Sequence, residues 1–173
     1  CVLCEYSGYI MRELFEQNNN GIIFNLFFFF SFLFIFYLYK SVLTDQLRKR
    51  IITLYSILYT IVFIICCFTL NALFGYQSIS FFVGAFGVIL GIFFYFYEIL
   101  NSQKVLNVKR NLLFWISIGR LIFYVGSIPL RVVIDYYANF AFNVLFSIIY
   151  VLIIILNICY IIGFIWSDKK QPY

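Results

Sequence analysis

Five long stretches of the chain are almost free of charge, and each is long enough to cross a lipid bilayer as a helix. An apolar core of about 30 Å needs about 20 helical residues. Transmembrane β-strands would instead alternate polar and apolar residues over about ten positions. The pattern therefore predicts an all-α, polytopic transmembrane helix bundle with complete helices over residues 22–39, 51–74, 78–100, 112–130 and 139–166.

The composition excludes a water-soluble fold. Only 11% of the 173 residues are charged, 65% are hydrophobic, and the mean hydropathy is +1.01. Soluble domains carry about 25% charged residues, so this chain cannot cover a globule with water-compatible side chains. The longest internal connections, residues 41–50 and 101–111, are too short for a soluble domain, and we expect a single transmembrane domain over residues 1–173.

The first 14 residues predict the end of a further helix. The chain begins at Cys1, and an apolar run starts there abruptly. We therefore expect an N-terminally truncated protein in which one or more helices precede this run. The spacing of Cys1 and Cys4 occurs in redox and metal sites, but in an apolar run it indicates buried thiols.

The distribution of Lys and Arg predicts the orientation, because basic residues near helix ends are retained on the cytoplasmic side. Nine of the 12 basic residues lie in alternate connections and after the last helix: Lys40, Arg48, Lys49, Arg50, Lys104, Lys109, Arg110, Lys169 and Lys170. The abundant Phe and Tyr are typical of an AT-rich bacterial genome. We expect a multi-pass protein of the bacterial inner membrane with a cytoplasmic C-terminus.

The residue types that most catalytic sites require are missing or scattered in this sequence. Histidine is absent, which excludes imidazole ligands, His-containing zinc sites and Ser/His/Asp triads. No glycine-rich phosphate loop is present. We expect no cofactor, no metal and no enzymatic activity. The basic residues that set the orientation also account for the net charge of +5, so this charge indicates no nucleic-acid partner.

Four residues are candidates for a polar site inside the membrane. Arg120 lies near the middle of its apolar run, where a charge costs about 3 kcal/mol and marks a partner or a water-filled cavity. Asn143 and Asn157 are 14 residues apart and share one helix face. Glu5 lies in the first apolar run, where an acid also needs a partner. The alternative is a structural arginine that bonds to backbone carbonyls or to Asn143 or Asn157.

A second group of candidates lies on the predicted cytoplasmic side. Two binding partners are possible for these residues, anionic lipid or a protein, and the retention of basic residues on the cytoplasmic side is also sufficient to explain their presence. They are Arg48, Lys49, Arg50, Lys109 and Arg110. Glu98 is expected to anchor its helix at the interface, paired with Lys104, Arg110 or a basic residue of the preceding cytoplasmic connection.

Glycine and proline positions predict how the helices pack. Gly84, Gly87 and Gly91 form one stripe that lets a neighbouring helix approach, and Gly119 offers the same beside Arg120. Pro129 removes a backbone donor, and we expect it to end or kink its helix.

Six segments of the chain carry a resemblance to known sequences: residues 5–6, 18–25, 97–102, 105–107, 114–119 and 123–129. They resemble an uncharacterised family of multi-pass inner-membrane proteins from flavobacteria and other Bacteroidota. The resemblance implies a seven-helix protein often encoded near sensor histidine kinases, with no catalytic residues to carry over.

These observations favour a sensory or partner-binding membrane component, with the lipid bilayer and a signalling protein such as a histidine kinase as partners. The first alternative is a small-solute transporter or channel with Arg120, Asn143 and Asn157 lining the path. The second is a membrane-embedded lipid-modifying enzyme, which would need a cluster of acids or histidines that this sequence lacks.

Overall fold

The computed structural model describes residues 21–69, 77–102, 111–136 and 142–167. These residues form five helices and no strand: α1 (Gly21–Val42), α2 (Gln46–Thr69), α3 (Ser78–Leu100), α4 (Leu112–Tyr136) and α5 (Phe142–Trp166). All five are long and apolar enough to cross a membrane. The predicted all-α transmembrane bundle is confirmed, and the chain is a multi-pass membrane protein. The predicted partial helix over residues 1–14 lies outside the described residues.

The predicted boundaries of α3 are confirmed, whereas α2 begins at Gln46 rather than at residue 51. The reason is a helix cap at Asp45. Its Oδ1 accepts a hydrogen bond from the Leu47 N–H at 3.1 Å, and its carbonyl accepts one from the Lys49 N–H at 3.1 Å. The basic residues that follow are therefore helical, and the prediction that they form a loop was wrong.

Of the two effects predicted for Pro129, an end or a kink of its helix, the end is wrong. Helix α4 continues through Pro129 to Tyr136. Proline cannot donate to the carbonyl four residues earlier, but transmembrane helices tolerate it where neighbouring groups and local adjustment compensate.

The described helices group into two units, each packed internally. The first contains α1 as far as Ser41, α2, and α3 as far as Val88. Its core is aromatic: the Phe32 ring lies 5.5 Å from the Tyr59 ring and 6.1 Å from the Phe81 ring, centroid to centroid. A Cβ at Gly84 would meet the Phe32 ring, and one at Gly87 would meet Tyr55. Aromatic side chains therefore occupy the space beside these two glycines, where the sequence pattern predicted the close approach of a second helix backbone.

The second unit contains Val42–Thr44, the rest of α3, α4 and α5. Helices α4 and α5 pack antiparallel along three glycines. A Cβ at Gly119 would lie 2.8 Å from Cβ of Cys159, one at Gly126 would lie 2.9 Å from the Leu152 side chain, and one at Gly163 would lie 2.9 Å from Cβ of Trp115. The predicted close neighbour at Gly119 is thus α5.

Candidate functional site

The side chain of Arg120, on α4, forms a hydrogen bond to α5. Its Nε donates to the hydroxyl oxygen of Tyr160 at 2.9 Å, and the pair is partly buried. The close packing at Gly119 places the two helices within reach of this bond. Among the described residues, Arg120 forms no ion pair. Its described partner is therefore a neutral hydroxyl on α5. The predicted partners Asn143 and Asn157 belong to the same helix, but Tyr160 was not predicted.

Asn157 does not meet Arg120 in the described structure. It is exposed, and its Nδ2 donates to the Ile153 carbonyl of its own helix at 2.8 Å. The side chain of Asn143 and the whole of Glu5 lie outside the described part of the chain. Of the four candidates for an intramembrane polar site, the structure thus locates two side chains and does not bring them together.

The start of α2 presents three consecutive basic residues, Arg48, Lys49 and Arg50, which we call the basic cluster. Nε of Arg48 lies 3.3 Å from Oδ2 of Asp45, so the capping residue also pairs with the first cation. Arg50 is exposed and Lys49 is half-buried. The other two cytoplasmic candidates, Lys109 and Arg110, lie outside the described residues.

Glu98 accepts two hydrogen bonds from one residue of the connection between α1 and α2. Its Oε2 lies 2.8 Å from the backbone nitrogen of Thr44 and 3.0 Å from Oγ1 of Thr44. Thr44 is a neutral residue of the connection in which a basic residue was one predicted partner of Glu98. Lys104 and Arg110, the other predicted partners, lie outside the described residues. The two bonds anchor the last turn of α3.

A buried polar cluster at the start of α3 was not identified from the sequence. Oδ1 of Asn25 accepts a hydrogen bond from the Gln77 N–H at 3.2 Å, and Nε2 of Gln77 donates to Sγ of Cys67 at 3.3 Å. With Ser80 and three phenylalanines, Asn25 and Gln77 line a cavity of about 10 Å³, which is room for about one water molecule. A polar residue directly before an apolar run, as Gln77 is, could have indicated a helix cap.

The described residues contain no group of three or more His, Cys, Asp or Glu side chains placed to hold a metal ion. Cys66, Cys67 and Cys159 are free thiols inside the helices. The polar side chains described above join neighbouring elements through the bonds of Arg120 to Tyr160, Thr44 to Glu98, and Asn25 to Gln77.

Comparisons of this chain with protein-family models, curated proteins and solved structures find no match.

Proposed function

We propose that this protein is a sensory or partner-binding component of the bacterial inner membrane, without catalytic activity, whose cytoplasmic edge binds a signalling protein. The observation that carries the proposal is the basic cluster at the start of α2. Asp45 caps the helix and pairs with Arg48, which leaves Lys49 and Arg50 without an ion pair among the described residues.

The position of these cations supports a binding role. The N-terminus of a helix already carries a partial positive charge, so basic residues there are unfavourable by a few tenths of a kcal/mol each. Retention on the cytoplasmic side requires basic residues near the membrane but not three in the first turn and a half. Their summed positive potential suits an acidic surface.

An acidic face of a membrane-bound signalling protein is the partner that fits this charge. The resemblance to proteins encoded near sensor histidine kinases makes such a kinase the first partner to test. Anionic lipid is the competing ligand, because a basic residue at the membrane surface contributes about 1 kcal/mol to that interaction.

The test is crosslinking in cells followed by purification of the full-length protein and mass spectrometry. The proposal predicts one dominant membrane partner, lost from the double variant Lys49→Gln/Arg50→Gln. The matched control is Lys40→Gln, an exposed cation at the end of α1, which should retain the partner. Recovery of the protein alone, or loss of the partner in both variants, would contradict the proposal.

A small-solute transporter is the second candidate, and it rests on Arg120. A cation bonded to a neutral hydroxyl within a membrane span keeps its charge available to an anionic solute. Solute uptake into proteoliposomes that is abolished by Arg120→Gln and retained in Lys40→Gln would favour this candidate over a partner-binding role.

A further inference from the structure

The small cavity beside the first turn of α3 is lined by polar and aromatic side chains together. All three helices of the first unit contribute to it, since Asn25 belongs to α1, Phe63 to α2 and Ser80 to α3. Its volume is about 10 Å³. The lining consists of three neutral polar residues and three phenylalanines: Asn25, Gln77, Ser80, Phe28, Phe63 and Phe81.

The three polar residues of this lining are buried. Asn25 is 6% exposed, and Gln77 and Ser80 are each 4% exposed. Buried polar atoms in folded proteins are nearly always hydrogen-bonded, either to the protein or to an ordered water molecule. The polar groups around this cavity therefore need partners within the protein or within the cavity itself.

The side-chain amide of Gln77 brings a carbonyl oxygen to this region. Nε2 of Gln77 donates to Sγ of Cys67 at 3.3 Å, and the Gln77 N–H donates to Oδ1 of Asn25 at 3.2 Å, so the residue is held at two points. Its Oε1 is buried as well, and this oxygen accepts no hydrogen bond within the described part of the chain. A donor placed in the cavity would complete the hydrogen bonding of the amide.

The size and chemistry of the cavity select one kind of occupant. Its volume holds about one species of the size of water, and a cavity with about two to four polar partners is one that retains water. None of the lining residues is charged, so a cation or an anion would be buried there without a counter-charge, which is strongly unfavourable. Water is neutral, and it both donates and accepts hydrogen bonds.

We infer that this cavity binds one water molecule, which is part of the folded structure. The water donates a hydrogen bond to Oε1 of Gln77 and bonds to the hydroxyl of Ser80, and the Asn25 amide is the third polar group in reach of the cavity. The water thus links the residue before α3 to the first turn of α3 and to α1.

This hydration site is independent of the proposed function. Phe63 is 13 residues after Arg50 on the same helix, so the cavity lies about 20 Å along α2 from the basic cluster. Loss of the water should therefore leave binding at the basic cluster unchanged, and loss of a signalling partner would not affect the water.

The test is oxygen-17 relaxation dispersion of water with the full-length protein in bicelles. The dispersion amplitude reports long-lived internal water molecules, and hydroxyl and amide protons do not contribute to it. Ser80→Val replaces the hydroxyl and fills the cavity with methyl groups, so the amplitude should fall by the equivalent of about one water. The matched control is Ser41→Val, the same change at an exposed serine near the end of α1, which should keep the amplitude.

A second measurement uses the unmodified protein, so it does not depend on how Ser80→Val folds. Nuclear Overhauser spectra should connect water with the side-chain N–H groups of Gln77. The variant Ser80→Ala removes the hydroxyl but leaves the space, and it should keep this contact. Potassium chloride and ammonium chloride should leave the Gln77 amide resonances unchanged.

Three results would overturn the inference. The first is an absent contact between water and Gln77 in the unmodified protein, or a contact that Ser80→Ala abolishes, because the signal would then come from the hydroxyl proton. The second is an equal dispersion amplitude for Ser80→Val and Ser41→Val. The third is a saturable shift of the Gln77 amide with potassium or ammonium, which would identify a cation site instead.

Discussion

Nε of Arg120 lies 2.9 Å from the Tyr160 hydroxyl oxygen, one residue along the chain from the Gly119 and Cys159 pair at which α4 and α5 pack. A charged hydrogen bond and a close helix contact therefore occupy adjacent positions. The bond joins two helices that are long and apolar enough to span a membrane, so its loss should lower the stability of the α4/α5 pair.

Replacing Tyr160 by Phe removes the acceptor and leaves the ring. We expect the free energy of unfolding in bicelles to fall by about 1 to 2 kcal/mol, because Arg120 loses a charged hydrogen bond that lipid cannot replace. Steric trapping of the monomer measures this change. Tyr37→Phe is the control, since Tyr37 is 70% exposed, and it should change stability by less than about 0.5 kcal/mol. Equal effects of the two substitutions would mean that the bond does not stabilise the fold.

Gly119→Ala should destabilise the α4/α5 pair by about 1 to 3 kcal/mol. The added methyl group would lie 2.8 Å from Cβ of Cys159, so the helices must separate. The double variant Gly119→Ala/Cys159→Gly moves the small residue to the other helix and should recover part of the lost stability. Thermal unfolding in detergent measures this recovery. Val125→Ala, on the exposed side of α4, is the control for altered helix propensity. A double variant less stable than the sum of the single ones would contradict the packing explanation.

The two hydrogen bonds from Thr44 to Glu98 predict a measurable coupling free energy between these residues. Thr44→Val and Glu98→Gln should each lower the free energy of unfolding, and the double-mutant cycle should give a coupling of about 0.5 to 1.5 kcal/mol. Thr60 offers a matched control, because its hydroxyl donates to the Ser56 carbonyl of its own helix. A cycle of Thr60→Val with Glu98→Gln should be additive, and a zero coupling for Thr44 would remove this anchor of α3.

Asn25→Leu should cost about 1 to 3 kcal/mol. Asn25 is 6% exposed and Gln77 is 4% exposed, so the substitution takes a buried acceptor from the Gln77 N–H. Asn101→Ala is the control, since Asn101 is exposed and bonds to the Tyr97 carbonyl in its own turn. Amide hydrogen exchange should also show faster exchange at Gln77 in Asn25→Leu. Unchanged exchange there would show that the Asn25 side chain does not protect this N–H.

The apolar runs were sufficient to predict the helices, because membrane thickness dictates helix length and charge marks the ends. The boundaries of α3 followed directly. The start of α2 could not be predicted in this way. Hydropathy places a helix end at the first charged residues, whereas the Asp45 cap extends α2 through three basic residues. The end of α4 did not follow either, because a membrane span can accommodate the backbone donor that Pro129 lacks, and the helix continues to Tyr136.

The candidate site was harder to predict than the helices. Arg120 could be identified as needing a partner, but Tyr160 could not, because nothing in the sequence shows which residue of α5 lies beside Arg120. Choosing Tyr160 over Asn157 requires the register of α4 against α5, and that register depends on where Gly119 meets Cys159. Side-chain pairing between helices is therefore a property of packing, which a single sequence does not specify.

The separation of Arg120 and Tyr160 along the chain has a consequence for biogenesis. The acceptor lies 40 residues after the donor, so α4 leaves the ribosome well before the residue that bonds its arginine. During that interval α4 carries an insertion cost of about 3 kcal/mol, because the tyrosine that bonds to Arg120 has not yet been synthesised. Helix α4 should consequently remain at the translocon until α5 emerges, and the two helices should enter the lipid together as a hairpin.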